Sequence, residues 1–170
     1  MKFVKIIILF FAVIFASFVW KVRAEQDVRA ISDPNSIDWK SPSIRMYFAL
    51  KKYSEKYSVP EEIAFAFAYR ETGYRGPNHR SYEWRLVSSA GALGPMQIMP
   101  TSGRKFAPKK YSDSLLLNDI DYNVETSMRI LKYLKRRFGR WDLAAGAYNT
   151  GRPVVNEYAR QIASLSYQWL

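Results

Sequence analysis

The sequence predicts an all-α protein built as a single domain, and three observations carry that reading. Apolar residues recur at spacings of three and four, as Met46, Leu50, Tyr53 and Tyr57 do, and again from Val124 through Met128, Leu131 and Leu134 to Phe138. A nearly uncharged run, Ile63-Ala64-Phe65-Ala66-Phe67-Ala68-Tyr69, has apolar side chains on nearly every side, the signature of a central, buried helix. No alternation of apolar and polar residues reaches the length of a strand, and no segment repeats. A chain of 170 residues is long enough to bury one core of ordinary size.

The chain opens on a segment of its own kind. Ile6 to Trp20 carry no charge, Lys2 and Lys5 precede them, Lys21 follows, and Val22-Arg23-Ala24 offers the small or branched residues that a signal peptidase inspects. Residues 1–24 are read as a signal peptide or an N-terminal membrane anchor. The run is short for a spanning helix, which needs about 20 apolar residues, so cleavage after Ala24 is preferred over retention. Residues 25–42 form a polar linker, with Asp33-Pro34-Asn35-Ser36 and Ser41-Pro42-Ser43 as turn material. Residues 43–170 are the domain.

Within it, a first amphipathic helix is expected from Ser43 to about Tyr57. Ser58-Val59-Pro60-Glu61 has the form of a capping box opening the central helix, which runs to Glu71. Tyr74 to Arg85 is a loop dense in aromatic and basic residues, suited equally to holding sugar and to packing downward. Its His79 reads as a surface histidine. Pro100-Thr101-Ser102 can open a short helix, and Lys105 to Ser114 return to loop. Asp121 or Asn123 is expected to cap the long helix. Asp142 should cap the small-residue helix that Thr150-Gly151 stops, and Arg152-Pro153 should begin the last.

The formal charge is +11, and without residues 1–24, which hold Lys2, Lys5, Lys21 and Arg23 but no acid, it is +7. A basic exported chain suits an anionic envelope polymer, whereas nucleic acid would be the partner of a basic cytosolic one. The expectation is therefore no nucleic acid, membrane contact only through the N-terminal segment, and a monomer. With no cysteine and one histidine the chain has neither disulfides nor a lipid-bearing cysteine, and too few soft ligands for a transition metal. No cofactor and no metal site are expected.

Ser88 to Pro100, Ser-Ser-Ala-Gly-Ala-Leu-Gly-Pro-Met-Gln-Ile-Met-Pro, cannot be a plain helix. Its glycines and prolines ask for a backbone that turns tightly and approaches something closely, as a site wall does. Upstream, Glu71 sits where the apolar helix gives way to a polar loop. A carboxyl group there is desolvated and lies at the negative end of the helix dipole, so it can hold its proton near neutral pH.

Glu71, the Gly91-Ala92-Leu93-Gly94-Pro95-Met96-Gln97-Ile98-Met99-Pro100-Thr101 wall and Ala147-Tyr148-Asn149-Thr150-Gly151 occur in the order found in the soluble-lytic-transglycosylase-like family. The chain resembles that family over about residues 44 to 163. The resemblance implies a lysozyme-like α-helical domain that cleaves peptidoglycan glycan strands, with Glu71 as the single catalytic acid. It implies that Ser88 hydrogen-bonds Glu71, that Gln97 and Met99 touch sugar, and that Tyr148 lies near the carboxylate with Asn149 beside it. Asn123 and Leu131 fit the preceding block. The stretch from Glu71 to Ser88 is longer than the family's usual spacing, and Pro95 stands where leucine is usual.

Glycosidases ordinarily need two carboxylates. In a lytic transglycosylase, as the resemblance implies, the 6-hydroxyl of N-acetylmuramic acid attacks its own C1 and leaves a 1,6-anhydro ring, so Glu71 alone serves as acid and then as base. A hydrolysing muramidase would need a second acid, for which Asp113, Asp119 and Glu83 are the candidates. A non-catalytic wall-binding module is the third reading. The small size of the chain favours a specialised enzyme directed by a partner such as an envelope-spanning secretion or conjugation apparatus.

Overall fold

The computed structural model describes residues 38 and 40–167, so the leader and most of the linker lie outside the described residues. Seven helices follow in order: α1 (Pro42–Tyr57), α2 (Glu61–Thr72), α3 (Pro100–Phe106), α4 (Asp113–Asn118), α5 (Ile120–Phe138), α6 (Trp141–Thr150) and α7 (Glu157–Ser166). The all-α expectation holds. Among the described residues the only β pairing is two isolated bridges, Val87 with Leu93 and Leu93 with Ile98, both inside the glycine-rich wall. No helix of the described residues is long and apolar enough to cross a membrane.

α1 packs along α5, α2 lies against α7, and α6 joins α5 to α7. The α1 face predicted to be apolar is the buried one, with Met46 and Leu50 fully covered. Central α2 buries every side chain from Ile63 to Ala68, because its alternation of alanine and phenylalanine lets neighbours approach closely on some sides while Phe65 and Phe67 fill the others. On α5 the inward stripe of Val124, Ser127, Met128 and Leu131 is fully buried.

The helix boundaries correct several expectations. Ser58 does not cap α2. It ends α1 in a left-handed conformation (φ 55°), its amide donating to Glu55 O, and Pro60 stands at the α2 N-cap. Gly73 (φ 67°) ends α2 in the same way. A short helix, α4, begins inside the stretch read as loop, at Asp113 and Ser114, and Ser112 caps it by accepting from Leu115 N. Asp119, rather than Asp121 or Asn123, caps α5 through Tyr122 N at 3.1 Å. Asp121 instead accepts from Tyr53 Oη, and Asn123 turns into the core.

Arg140, not Asp142, occupies the α6 N-cap, while Asp142 sits in the first turn and pairs with Arg140. Residues 152–156 stay extended, because Asn156 caps α7 through Ala159 N and the Val154 backbone presses on α6 at Gly146. A Cβ on Gly146 would stand 1.7 Å from Val154 O, so a side chain there would force the two apart.

Candidate active site

Glu71 lies in the last turn of α2, and helical spacing puts Phe67 directly beneath it, one turn back. Phe67 is fully buried and meets two tyrosine rings edge-on: Tyr148 of α6 at 4.9 Å and Tyr158 of α7 at 5.9 Å. This aromatic floor keeps water from one side of the carboxyl group. Tyr158 then donates its hydroxyl to Glu71 Oε1. Arg70 stands next in sequence, yet its guanidinium lies 5.4 Å over the Tyr158 ring and forms no ion pair with Glu71 among the described residues.

Burial pushes the Glu71 carboxyl up to about 7, while the Tyr158 hydrogen bond and the Arg70 charge pull it down less strongly. The group is therefore divided between acid and carboxylate near neutral pH, the condition under which one residue can both give and take a proton.

The wall facing this acid is held by one asparagine. Fully buried Asn123 accepts from Met96 N at 3.0 Å and donates to Leu93 O (2.9 Å) and Leu116 O (2.8 Å), so three of its four hydrogen-bonding positions fix backbone. Gly94 (φ 72°) passes so close that a Cβ would stand 2.2 Å from Leu116 O and 2.5 Å from Asn123 Nδ2; both conformation and contact require glycine. Tyr148 donates to Met96 O at 2.7 Å, which ties α6 to the same wall, and its hydroxyl oxygen therefore accepts from Ser127 Oγ at 3.0 Å. Thr72, directly after Glu71, donates to Pro95 O and accepts from Tyr82 Oη, both at 2.9 Å. The end of α2 and the wall are thus pinned together from two sides.

Of the residues singled out from sequence, Glu71 and Tyr148 meet around Phe67, with Glu71's charge felt at Tyr148. Gln97 is in the wall, left-handed at φ 47°, with Nε2 donating to Gly94 O (2.9 Å) and Leu86 O (3.2 Å); its amide secures the turn. Met99 stands on the rim, 40% exposed, and Asn149 is exposed on α6 with Oδ1 accepting from Asn156 Nδ2 at 3.1 Å. Ser88 does not pair with Glu71: its Oγ accepts from Ala92 N at 2.9 Å and closes a turn four residues long. The long Glu71–Ser88 stretch is taken up by the aromatic loop, and Tyr158 supplies the hydroxyl at Glu71.

Tyr158 was legible only as an apolar-face residue of the last helix. Its signal was chemical, since a tyrosine in a buried stripe needs a partner for its hydroxyl. Of the two readings of the aromatic loop, packing downward is the one its buried rings show. Tyr74 is fully buried, Tyr82 and Trp84 are each 6% exposed, and Tyr74 donates to Ser43 O at 2.8 Å, so these rings belong to the core.

The three acids considered as a second carboxylate are each engaged elsewhere: Asp113 by Tyr111, Asp119 at the α5 cap, and Glu83 by Arg85 N at 3.0 Å. Among the described residues no three His, Cys, Asp or Glu side chains are placed to hold a metal ion. A cavity of about 360 Å³ beside Tyr53, Lys56, Asp121 and Glu125 shares no residue with the Glu71 site, and its charged groups largely pair with one another or with neighbouring α1 side chains.

Fold and site together define a lysozyme-like helical domain with one buried acid poised for proton transfer beside a rigid, glycine-shaped wall. The chain belongs to the transglycosylase SLT domain family, whose model matches residues 48–168. It is similar to the 70-kDa soluble lytic transglycosylase of Escherichia coli, at 25% identity and a TM-score of 0.50, over 70% of this chain and 18% of that one. The complex of the 70-kDa enzyme with bulgecin A aligns equally, with a TM-score of 0.51. The fold is also that of Pseudomonas aeruginosa Slt, solved as an inactive glutamate-to-glutamine mutant, at 21% identity and a TM-score of 0.55 over 82% of this chain and 26% of that one. This chain thus spans about a fifth to a quarter of the length of these enzymes.

Proposed function

We propose that this chain is a peptidoglycan lytic transglycosylase acting in the periplasm or cell envelope, with residues 1–24 directing export or anchoring it. It cleaves the β-1,4 bond between N-acetylmuramic acid and N-acetylglucosamine. Glu71 in its protonated form gives its proton to the glycosidic oxygen as that bond breaks. The resulting carboxylate then takes the proton of the muramic 6-hydroxyl as that oxygen closes on C1, which regenerates the acid and leaves a 1,6-anhydro ring. The nucleophile is held in the same molecule as the centre it attacks, and the high effective molarity of such a step replaces a second carboxylate.

Tyr158 orients the Glu71 carboxyl and supports its charged form between the two steps. Tyr148 holds the wall at Met96 and turns its ring toward the acid. Gln97, Met99, Asn149 and the turn closed by Ser88 shape the groove through which the strand runs.

The single observation that carries this reading is a carboxyl group buried on an aromatic floor, raised to about 7 and hydrogen-bonded by a tyrosine rather than by a cation. The engagement of Asp113, Asp119 and Glu83 elsewhere weighs against a hydrolysing muramidase, and an acid so tuned weighs against a purely structural wall-binding module. Mass analysis of the muropeptides released from sacculi by the full chain tests it. Products should end in 1,6-anhydro-N-acetylmuramic acid; a majority of reducing muramic ends would establish water as the nucleophile.

A further inference from the structure

The cations of this domain fall into two groups that differ in their partners. On α1, Lys51, Lys52 and Lys56 each meet an acid: Glu61 at 3.5 Å, Asp121 at 3.5 Å and Glu125 at 2.6 Å. The outer face of α5 is different. Arg129, Lys132, Tyr133, Arg136 and Arg137 are related by helical spacings of three and four and so share one face, with Arg140 beyond its end at the α6 N-cap. Arg140 pairs with Asp142, but none of Arg129, Lys132, Arg136 and Arg137 forms an ion pair among the described residues.

The stripe continues onto α3. Arg129 donates to Ala107 O at 3.0 Å, just past the α3 C-terminus, and the Phe106 ring packs on Tyr133 at 5.1 Å. Beside Phe106 stand exposed Arg104 and Lys105, also without an acidic partner among the described residues. The other end of α3 begins at Pro100, directly after the rim residue Met99. Seven residues of helix span only about 10 Å. A basic, aromatic ridge therefore leads from the rim of the groove along α3 and down the outer face of α5.

Helix polarity accounts for part of this charge, since cations are favoured in a last turn, and Lys135 serves that end by donating to Gly139 O. The same polarity favours Arg104 and Lys105 in the last turn of α3, but it does not account for Arg129 or Lys132, which lie earlier on α5. A face selected only for solubility carries both signs interspersed; like charges at i and i+4, as at Lys132 and Arg136, oppose the helix that bears them.

We infer that this ridge is a second contact surface for the polymer cleaved at Glu71, and that it binds the carboxylates of the peptide stems on the glycan strand. The inference rests on the peptidoglycan reading of the Glu71 site. The stems carry α- and side-chain carboxylates at regular intervals along the strand, which match a row of guanidinium groups that can each take a carboxylate through paired N–H donors. A strand lying in the groove past Met99 brings its stems over α3 first and α5 next. The ridge makes the enzyme prefer peptide-bearing strands to bare glycan.

The test compares the full chain with its Lys132→Gln/Arg136→Gln/Arg137→Gln variant on two polymers, peptide-bearing glycan strands and the same strands stripped of stems by an amidase. Wild type should show a kcat/KM on peptide-bearing strands about tenfold above that on bare glycan at low salt, the scale of several exposed ion pairs acting together. That preference should shrink as ionic strength rises toward about 0.15 M. The variant should lose it, keep its rate on bare glycan within about twofold, and melt no lower than wild type. Cosedimentation of Glu71→Gln chains with both polymers reads binding without turnover, and the ridge substitutions should weaken only binding to the peptide-bearing polymer.

Equal preference in wild type and variant, or no preference in wild type, overturns the inference. So does a variant that keeps its preference for stems but loses binding to phosphatidylglycerol-rich vesicles, which would make an anionic bilayer the partner. If wild type releases no anhydro product from either polymer, the reading of the Glu71 site fails, while the cosedimentation result still decides the ridge by itself.

Discussion

Two glutamates of this domain each accept a hydrogen bond from a tyrosine and yet behave in opposite ways. Glu71 and Glu125 are both partly buried on helices, and each accepts a hydrogen bond from a tyrosine hydroxyl: Tyr158 for Glu71, and Tyr57 for Glu125 at 2.7 Å. Desolvation is the largest influence on each and pushes both upward. Glu71 rises to about 7, whereas burial at Glu125 is outweighed by the hydrogen bonds from Lys56 and Tyr57 together with the charges of Lys56 and Arg129, which hold the group below its ordinary value. A tyrosine is common to both sites. Two differences separate them: Glu71 is the more deeply buried, and Lys56 Nζ lies 2.6 Å from Glu125 while Arg70 stacks on a ring instead of meeting Glu71.

Replacing Glu71 by glutamine should have the largest effect. The amide keeps the shape but can neither give nor take the reacting proton, so kcat should fall by at least about 10²- to 10⁴-fold. The same substitution should raise stability at high pH. A carboxyl group with a folded-state pKa of about 7 against an ordinary 4.5 leaves stability intact below 4.5 and erodes it as pH rises through 7. The loss amounts to about 3 kcal/mol above that window, and the glutamine escapes it. Thermal melts of both proteins at pH 4 and pH 8 check this: the curves should nearly coincide at the lower pH and separate at the higher, with the variant more stable. A variant destabilised at pH 8 would mean that Glu71 is a structural ion.

Much of this site could be read from the chain, and what could not has a physical cause. Glu71, the wall and Tyr148 were legible because each is marked by local chemistry: an acid ending an apolar run, or glycines where only a missing Cβ permits the approach. Tyr158 comes from 87 residues away, and only the packing of α7 on α2 brings it to Glu71. Ser88 pointed the wrong way because its hydroxyl had a nearer acceptor role within its own turn. The helices were legible from periodicity, while their caps were misplaced at Ser58, Asp121, Asp142 and Arg152. At each, a polar side chain stood near a helix start, and tertiary contacts decided which neighbour took the position.

Tyr158→Phe should come next in effect. It removes the only hydrogen bond to Glu71 among the described residues and leaves the ring edge-on to Phe67. Because that bond favours the charged carboxylate, its loss should move Glu71 further upward and shift the pH profile of kcat in the alkaline direction. The rate at the optimum should fall by about 10- to 100-fold, the range for a hydrogen bond to a charged group, with little change in KM. An unmoved pH profile would assign Tyr158 to packing alone.

The smallest effect on catalysis, and the cleanest test of the comparison, is Lys56→Met. Lys56 touches Glu125 and lies over the Tyr57 ring, and it takes no part in the Glu71 site. If the cation in contact is the main influence separating the two acids, removing it leaves Glu125 with burial, one tyrosine and the more distant charge of Arg129, as Glu71 has burial, one tyrosine and the charge of Arg70. The Glu125 carboxyl should then titrate at a higher pH, which its carbon resonance in an NMR titration would report. Activity should stay within about twofold of wild type, as expected of an exposed substitution remote from the reacting groups. The stability that Glu125 contributes above its ordinary pKa, which wild type loses only as pH falls through the depressed value, should be lost at higher pH in the variant. Should Glu125 remain depressed without Lys56, the Tyr57 hydrogen bond and the Arg129 charge would be sufficient to hold a partly buried carboxylate in its charged form. The elevation of Glu71, which has that same bond, would then have to come from its deeper burial on the Phe67 floor.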